Sequence, residues 1–180
     1  MEHVLKKYYC NKGALLNILT HLETILYKPH NLYIHNIVID KENTEYSGAT
    51  FMLKEKNIIF RTAKKTPTKK GLFVTVWKRP YPNNPIQPYD HNDSFDFFII
   101  HVIEKEKQGQ FIFPKSVLLK KNIISKNNRG GKRGFRVYPT WEAPDNDQAR
   151  KTQLWQSAYF FEIEKENEKL YNLICLSHTQ

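Results

Sequence analysis

Two long windows of this sequence contain no acidic residue. From 56 to 89, and again from 107 to 141, there is neither Asp nor Glu. The first window nevertheless carries Lys56, Arg61, Lys64, Lys65, Lys69, Lys70, Lys78 and Arg79. The second carries Lys107, Lys115, Lys120, Lys121, Lys126, Arg129, Lys132, Arg133 and Arg136. The acids lie before 56, between 90 and 106, and from 142 onward. With 28 Lys and Arg against 18 Asp and Glu, the formal charge is +10. Charge segregated in this way points to a basic face and a polyanionic partner; it says nothing about fold.

Cysteine is nearly absent. The two present, Cys10 and Cys175, stand near opposite ends and form no CxxC pair. That excludes a disulfide framework and a thiolate zinc site, and it suits a reducing compartment. No apolar run approaches the ~18 residues of a membrane helix, and the first residues lack the apolar core of a signal peptide. A cytoplasmic protein with no membrane partner is the expectation.

Catalytic signatures are missing as well. The seven histidines form no HExxH or HxH. No serine stands in GxSxG, and the glycines of 125 to 134 lack the GxxxxGK[ST] spacing of a phosphate loop. Asp90, Asp93 and Asp96 cluster without the alternate spacing and central glycine of a calcium loop, so they read as a solvated loop. Asp96 is the exception: it sits inside an apolar strand, as a partner for a buried Arg or a carboxylate of a site. These gaps lean against an enzyme and give no metal site.

Hydrophobic residues at 40% and aromatics at 13% specify a folded core. The expected organisation is a loose extension at 1–12, a single domain at 13–163 and a charged tail at 164–180. Within the tail, Leu170, Leu173, Ile174 and Leu176 suit a docked helix. Residues 13 to 27 place Leu15, Ile18, Leu19, Leu22, Ile25 and Leu26 on one helical face, with Asn11 as N-cap and Pro29 as the stop. Strands follow at 32–39, at 49–53, from 58 and at 72–77, adjacent and mostly antiparallel. A long Pro- and Asn-rich loop covers 80–94. The run from 95 to 103 is apolar enough for the sheet centre, and a short strand at 110–113 leads to a helix begun by Pro114. A second basic segment, 125–134, is a flexible loop. A strand at 135–138, a helix at 145–158, and a strand or helix end at 160–163 complete an α/β (α+β) chain with a mixed, largely antiparallel sheet flanked by helices.

The stretch 58–79, IIFRTAKKTPTKKGLFVTVWKR, reads as strand, basic loop, strand. Arg61, Lys64, Lys65, Lys69 and Lys70 are its candidate phosphate contacts, and Thr66 and Thr68 add hydroxyls. Arg129, Lys132, Arg133 and Arg136 form a second wall, which Arg150 and Lys151 extend. Tyr138 and Trp141 are candidate stacking platforms for unpaired bases, whereas Phe73 and Trp155 read as core.

Four blocks, FRTAKKTPTKKGLFVTVW, GQFIFPKSVLL, GKRGFRVYPTW and ARKTQLWQ, resemble the MepB family in order and spacing. The resemblance spans roughly residues 15 to 163. It implies a restriction-endonuclease-like PD-(D/E)XK fold that binds RNA, single-stranded DNA and, more weakly, duplex DNA. Active nucleases of that fold hold Mg²⁺ with an Asp and a (D/E)-x-K on the next strand. This sequence has no acid two residues before a Lys; at that spacing Lys64 and Lys65 are preceded by Thr62 and Ala63. The expected function is therefore nucleic-acid binding without catalysis and without a cofactor. Two alternatives stand beside it. One is a Mg²⁺-dependent nuclease with a rearranged site built from Asp96, Glu45 and Lys64. The other is a binder of a small phosphorylated ligand at the 61–70 cluster. Nothing in the sequence sets the oligomeric state.

Overall fold

The computed structural model describes residues 12 to 163 together with 172, 174 and 175. Asn11, nearly all of the 1–12 extension, and Leu170, Leu173 and Leu176 of the tail lie outside the described residues. Ile174 is buried against the core. None of the described helices is long and apolar enough to cross a membrane.

The centre is a pair of parallel strands, β3 (Lys56–Thr62) and β8 (Phe97–Glu104), in register from Ile58 opposite Phe97 to Thr62 opposite His101. Both faces of β8 are covered, which is why its sequence is a continuous apolar run rather than an alternation. β1 (Ile34–Ile39) and β2 (Ala49–Leu53) extend the sheet antiparallel on one side. β9 (Lys107–Pro114) and β11 (Phe160–Glu162) extend it on the other, giving the order β1-β2-β3-β8-β9-β11. The apolar run at 95–103 thus lies at the centre as expected, although its central pairing is parallel rather than antiparallel.

Alternation along each strand divides the core into two layers. Ile58, Phe60, Phe97, Ile99 and Ile112 face helix α1 (Lys12–Leu22), which contributes Leu15, Ile18, Leu19 and Leu22. The helix continues as a π-turn over Glu23–Tyr27, and Leu26 and Tyr27 join the same layer. Ile59, Phe98, Ile100, Val102, Phe111 and Phe113 face the opposite side. There they meet a small second sheet and the helix α2 (Lys115–Lys120).

The second sheet lies within and beyond the crossover from β3 to β8. It is formed by β4 (Lys64–Thr66), β5 (Lys69–Thr75) and β10 (Gly134–Val137), in the order β10-β5-β4. A two-stranded ribbon, β6 (Trp77–Lys78) with β7 (Gln87–Pro88), follows it. Helix α3 (Asp147–Ser157) is capped by Asn146, whose Oδ1 accepts from the Ala149 N–H at 2.9 Å.

Arg61 departs from its expected role as a phosphate contact. Its side chain is 0% exposed. One guanidinium nitrogen donates to Asp40 Oδ2 at 2.6 Å and to the Tyr89 hydroxyl at 3.2 Å, and the other donates to the Phe60 carbonyl at 2.8 Å. Asn43 in turn donates its amide to Asp40 at 2.9 Å and accepts the Thr75 hydroxyl at 2.8 Å. The buried cation therefore ties the turn after β1 to β3 and β5. Removing one partner of a buried pair leaves an uncompensated charge at a cost of about 3–5 kcal/mol. Asp40→Asn is expected to lower stability in urea unfolding by roughly that order, and Asp40→Asn combined with Arg61→Met by less. A double variant as costly as the sum of the singles contradicts the pairing.

His101 lies beneath α1, stacked on Phe60 with ring centroids 6.4 Å apart, and its Nδ1 is 3.2 Å from the Gly109 carbonyl oxygen. Burial pushes its pKa down from 6.5 to about 4. Between those values the unfolded chain holds the extra proton, so stability rises with pH there and is lost as pH falls from about 6.5 toward 4. At 1.36 kcal/mol per unit the loss reaches ~3 kcal/mol. Urea melts of His101→Leu against the parent across that range are expected to show a shallower acid limb in the variant.

Candidate nucleic-acid interface

The first basic window folds differently from the loop its composition suggests. Lys64 to Thr66 and Lys69 to Thr75 pair as a hairpin, turned at Pro67 and Thr68, so most of its cations sit on strands. Alternation then sends them apart. Lys65 of the second sheet pairs with Glu104 at the end of β8 in the main sheet. Burial raises Glu104, but hydrogen bonds from Lys65 and from the Trp141 indole N–H outweigh it and hold the carboxyl below its usual range. Lys64 lies over the Tyr46 ring at 5.2 Å. Thr68, Lys69 and Lys70 are exposed.

The second window comes to the first by pairing with it. β10 runs antiparallel to β5, with Arg136 opposite Phe73 and Val137 opposite Leu72. Arg136 crosses the strands to donate to Thr66 Oγ1 at 2.6 Å and to the carbonyls of Lys70 and Gly71 at 3.3 and 3.2 Å. Its guanidinium covers the Phe73 ring at 5.9 Å. Thr66 is thus a partner of Arg136. Gly71 has φ +73°, and a β-carbon there would lie 2.6 Å from the Tyr138 ring, so only glycine lets Tyr138 close over the hairpin.

Between β10 and α3 lies an open groove of about 390 Å³. Lys69 reaches it from the first window, and Lys121, Lys132 and Arg136 from the second. Tyr138 and Trp155 supply aromatic surface, Gln148 and Thr152 polar groups, and no carboxylate is among the lining residues. The two walls are joined by Gln156, whose side chain is fully buried. Its amide donates to the Arg136 carbonyl and accepts from the Tyr138 N–H, each at 2.9 Å. The side chain thereby behaves as a short strand on the outer edge of β10.

The loops flanking the groove are held by Asp90. Its carboxylate accepts from Ser125 Oγ at 2.7 Å, from the Asn128 N–H at 2.9 Å and from the Asn92 N–H at 3.1 Å. The Ser125 hydrogen bond, seconded by the Asn128 N–H, holds the carboxyl well below the usual carboxylate range. Asp93 caps the Asp90 N–H at 2.8 Å and pairs with Lys78. The solvated-loop reading of Asp90 is therefore corrected: it is 4% exposed and joins the 80–94 loop to the second basic segment. Within that segment Gly131 has φ +79°, and a β-carbon would lie 2.8 Å from the Ser125 nitrogen.

Several expected residues stand away from the groove. Trp141 donates its indole N–H to Glu104 at 3.0 Å, packs edge-on against Phe160, and is not among the lining residues. Arg150 pairs with Asp147 at 2.5 Å on the exposed face of α3. Lys70, Arg129, Arg133 and Lys151 are exposed and are not among the lining residues. Asp96 accepts the Asn57 N–H at 2.8 Å at the start of the β3–β8 pair, whereas Lys64 follows the far end of β3. Seven residues of strand, about 23 Å at ~3.3 Å each, separate those two ends. The rearranged site of Asp96, Glu45 and Lys64 is not assembled by this fold. Among the described residues no group of three or more His, Cys, Asp and Glu is placed to hold a metal ion. The sequence reading did not single out Lys121 for the groove, and Trp155, read as core, packs half-buried against the core and lines the groove as well. It also missed Gln156, which follows Trp155 in the ARKTQLWQ block without any motif of its own.

A family model described as MepB-like matches residues 40–162. The chain belongs to the MepB-like family. The crystal structure of MepB itself superposes with a TM-score of 0.70 and 41% identity, covering 74% of this chain and 89% of that one. A bacterial homing endonuclease, I-Ssp6803I, aligns at a TM-score of 0.48 and 15% identity, over 81% of this chain and 90% of its own. No match is found among curated proteins.

The β10–α3 junction is open to a direct test. Gln156→Leu removes both edge hydrogen bonds and is expected to cost about 2–3 kcal/mol. Gln156→Glu keeps the acceptor for Tyr138 but sets a carboxylate against the Arg136 carbonyl, and it is expected to cost at least as much. Urea unfolding, with hydrogen exchange at the Tyr138 amide, measures both; unchanged protection there contradicts the bridge.

Proposed function

We propose that this member of the MepB-like family binds nucleic acid without cleaving it, through the groove between β10 and α3. The observation that carries this reading is that the two acid-free windows contribute cations to one groove, with aromatic surface between them. Lys69, Lys121 and Lys132 are exposed, which suits them to phosphates. Of the two structural arginines, Arg136 lines the groove while bound to Thr66 and two carbonyls, and Arg61 is buried on Asp40 and Tyr89 outside its lining. The lack of any acid-x-Lys in the chain supports binding rather than hydrolysis, on the nuclease-like scaffold that the resemblance implies. RNA and single-stranded DNA are the preferred ligands, with duplex DNA weaker.

The test is a titration of fluorescent single-stranded RNA, single-stranded DNA and duplex DNA at two salt concentrations, with a Mg²⁺ cleavage lane. Affinity is expected to fall steeply with salt, and the oligonucleotides to stay intact. Replacing Lys69, Lys121 and Lys132 together by Ala is expected to weaken binding on the order of tenfold or more and to reduce the salt slope by about one per lost contact. Lys151→Ala, outside the groove, is expected to change little. Cleavage abolished by chelator overturns the non-catalytic reading. A thermal shift with mononucleotides but none with oligonucleotides moves the small-ligand alternative forward.

A further inference from the structure

The groove has a feature that phosphate binding alone does not require. Trp155 stands in its wall, half-buried, between a rigid support and a removable cover. The support is Phe113, fully buried, with ring centroids 5.3 Å apart. The cover is Lys121, an exposed side chain whose ammonium lies over the indole at 5.1 Å. We propose that an unpaired nucleobase stacks on Trp155 in place of Lys121, making the groove a subsite for a single nucleotide of a single-stranded chain. This rests on the nucleic-acid reading above and specifies which form of nucleic acid the groove takes.

A base stacked on an indole is held more strongly than an exposed ammonium over the same ring, so the exchange runs toward the base. The displaced Lys121 remains at the groove, where Lys69, Lys132 and Arg136 already line the wall. It then faces the phosphate of the same nucleotide, so one movement creates a stacking contact and a charge contact. The ring is half-buried in the wall of the groove, whose volume of about 390 Å³ falls in the range of small-ligand sites. A base within a duplex keeps both faces against its neighbours and cannot enter; an unpaired one can. Every base has a π-face, so the subsite selects for strandedness and tolerates sequence.

The experiment compares three probes on the intact protein: an oligothymidine strand, an abasic strand of equal length, and a blunt duplex, each at low and high salt. The oligothymidine is expected to bind about tenfold tighter than the abasic strand, and that ratio is expected to survive high salt because stacking releases no counterions. Trp155→Leu is expected to erase the ratio by lowering oligothymidine affinity to that of the abasic strand, and Trp155→Phe to restore most of it. Equal affinity of the parent protein for oligothymidine and abasic strands overturns the subsite, and this comparison needs no variant to fold. An equal loss for all three probes in Trp155→Leu overturns it too, by making the effect structural. Binding to none of them at low salt overturns the nucleic-acid reading itself, which is a different result from salt-sensitive binding without a base preference.

Discussion

Parallel pairing of β3 with β8 imposes a requirement that the rest of the molecule meets. A chain leaving the end of β3 must return to the start of β8 before it can lie alongside, which takes a crossover of a dozen or more residues. Such a crossover is commonly a helix. Here residues 63 to 96 make it as a basic hairpin, a two-stranded ribbon and a loop held by Asp90. The hairpin needs a third strand to cover its edge, and β10 supplies one from the second basic window. The groove is thus a product of the sheet's topology: two sequence segments more than fifty residues apart become neighbours because one parallel pair needs a cover.

The positive residues divide by what surrounds them. Arg61 is enclosed, and its two terminal nitrogens are bound by Asp40, Tyr89 and the Phe60 carbonyl. Arg136 is half-enclosed and spends its fork on Thr66 and two carbonyls. Arginine suits both places, since its planar fork satisfies several acceptors at once. The residues that reach the groove from exposed positions are lysines, each a hydrated point charge on a flexible stem. Exposed pairs such as Arg150 with Asp147 add little to stability, because solvent screens them and ordering the side chains is costly.

Much of the architecture could be read from residue pattern. The 49–53 strand, the central position of the 95–103 run, the helix after Pro114 and the helix ending before Phe160 all follow from periodicity and breakers. The convergence of the two acid-free windows followed from charge only as a possibility, since strand order is a tertiary property. What pattern did not reveal was the fate of individual cations. Arg61 stands in an apolar strand where composition cannot distinguish a buried ion pair from an exposed contact; its partner is 21 residues away in sequence. Trp155 has the same helical spacing whether its ring is core or wall. Gln156 carries no local signal, because its function depends on a strand edge that the chain brings to it from elsewhere.

The bridge made by Gln156 also decides what kind of partner can approach. β10 is an outer strand, and such a strand ordinarily offers its unpaired backbone groups to any extended segment that comes near. The glutamine occupies two of those groups with one side chain, and α3 stands in front of them. A peptide seeking to add itself as a further strand meets a satisfied backbone and a helix. This surface therefore excludes recognition by main-chain pairing and leaves its occupancy to side-chain chemistry alone.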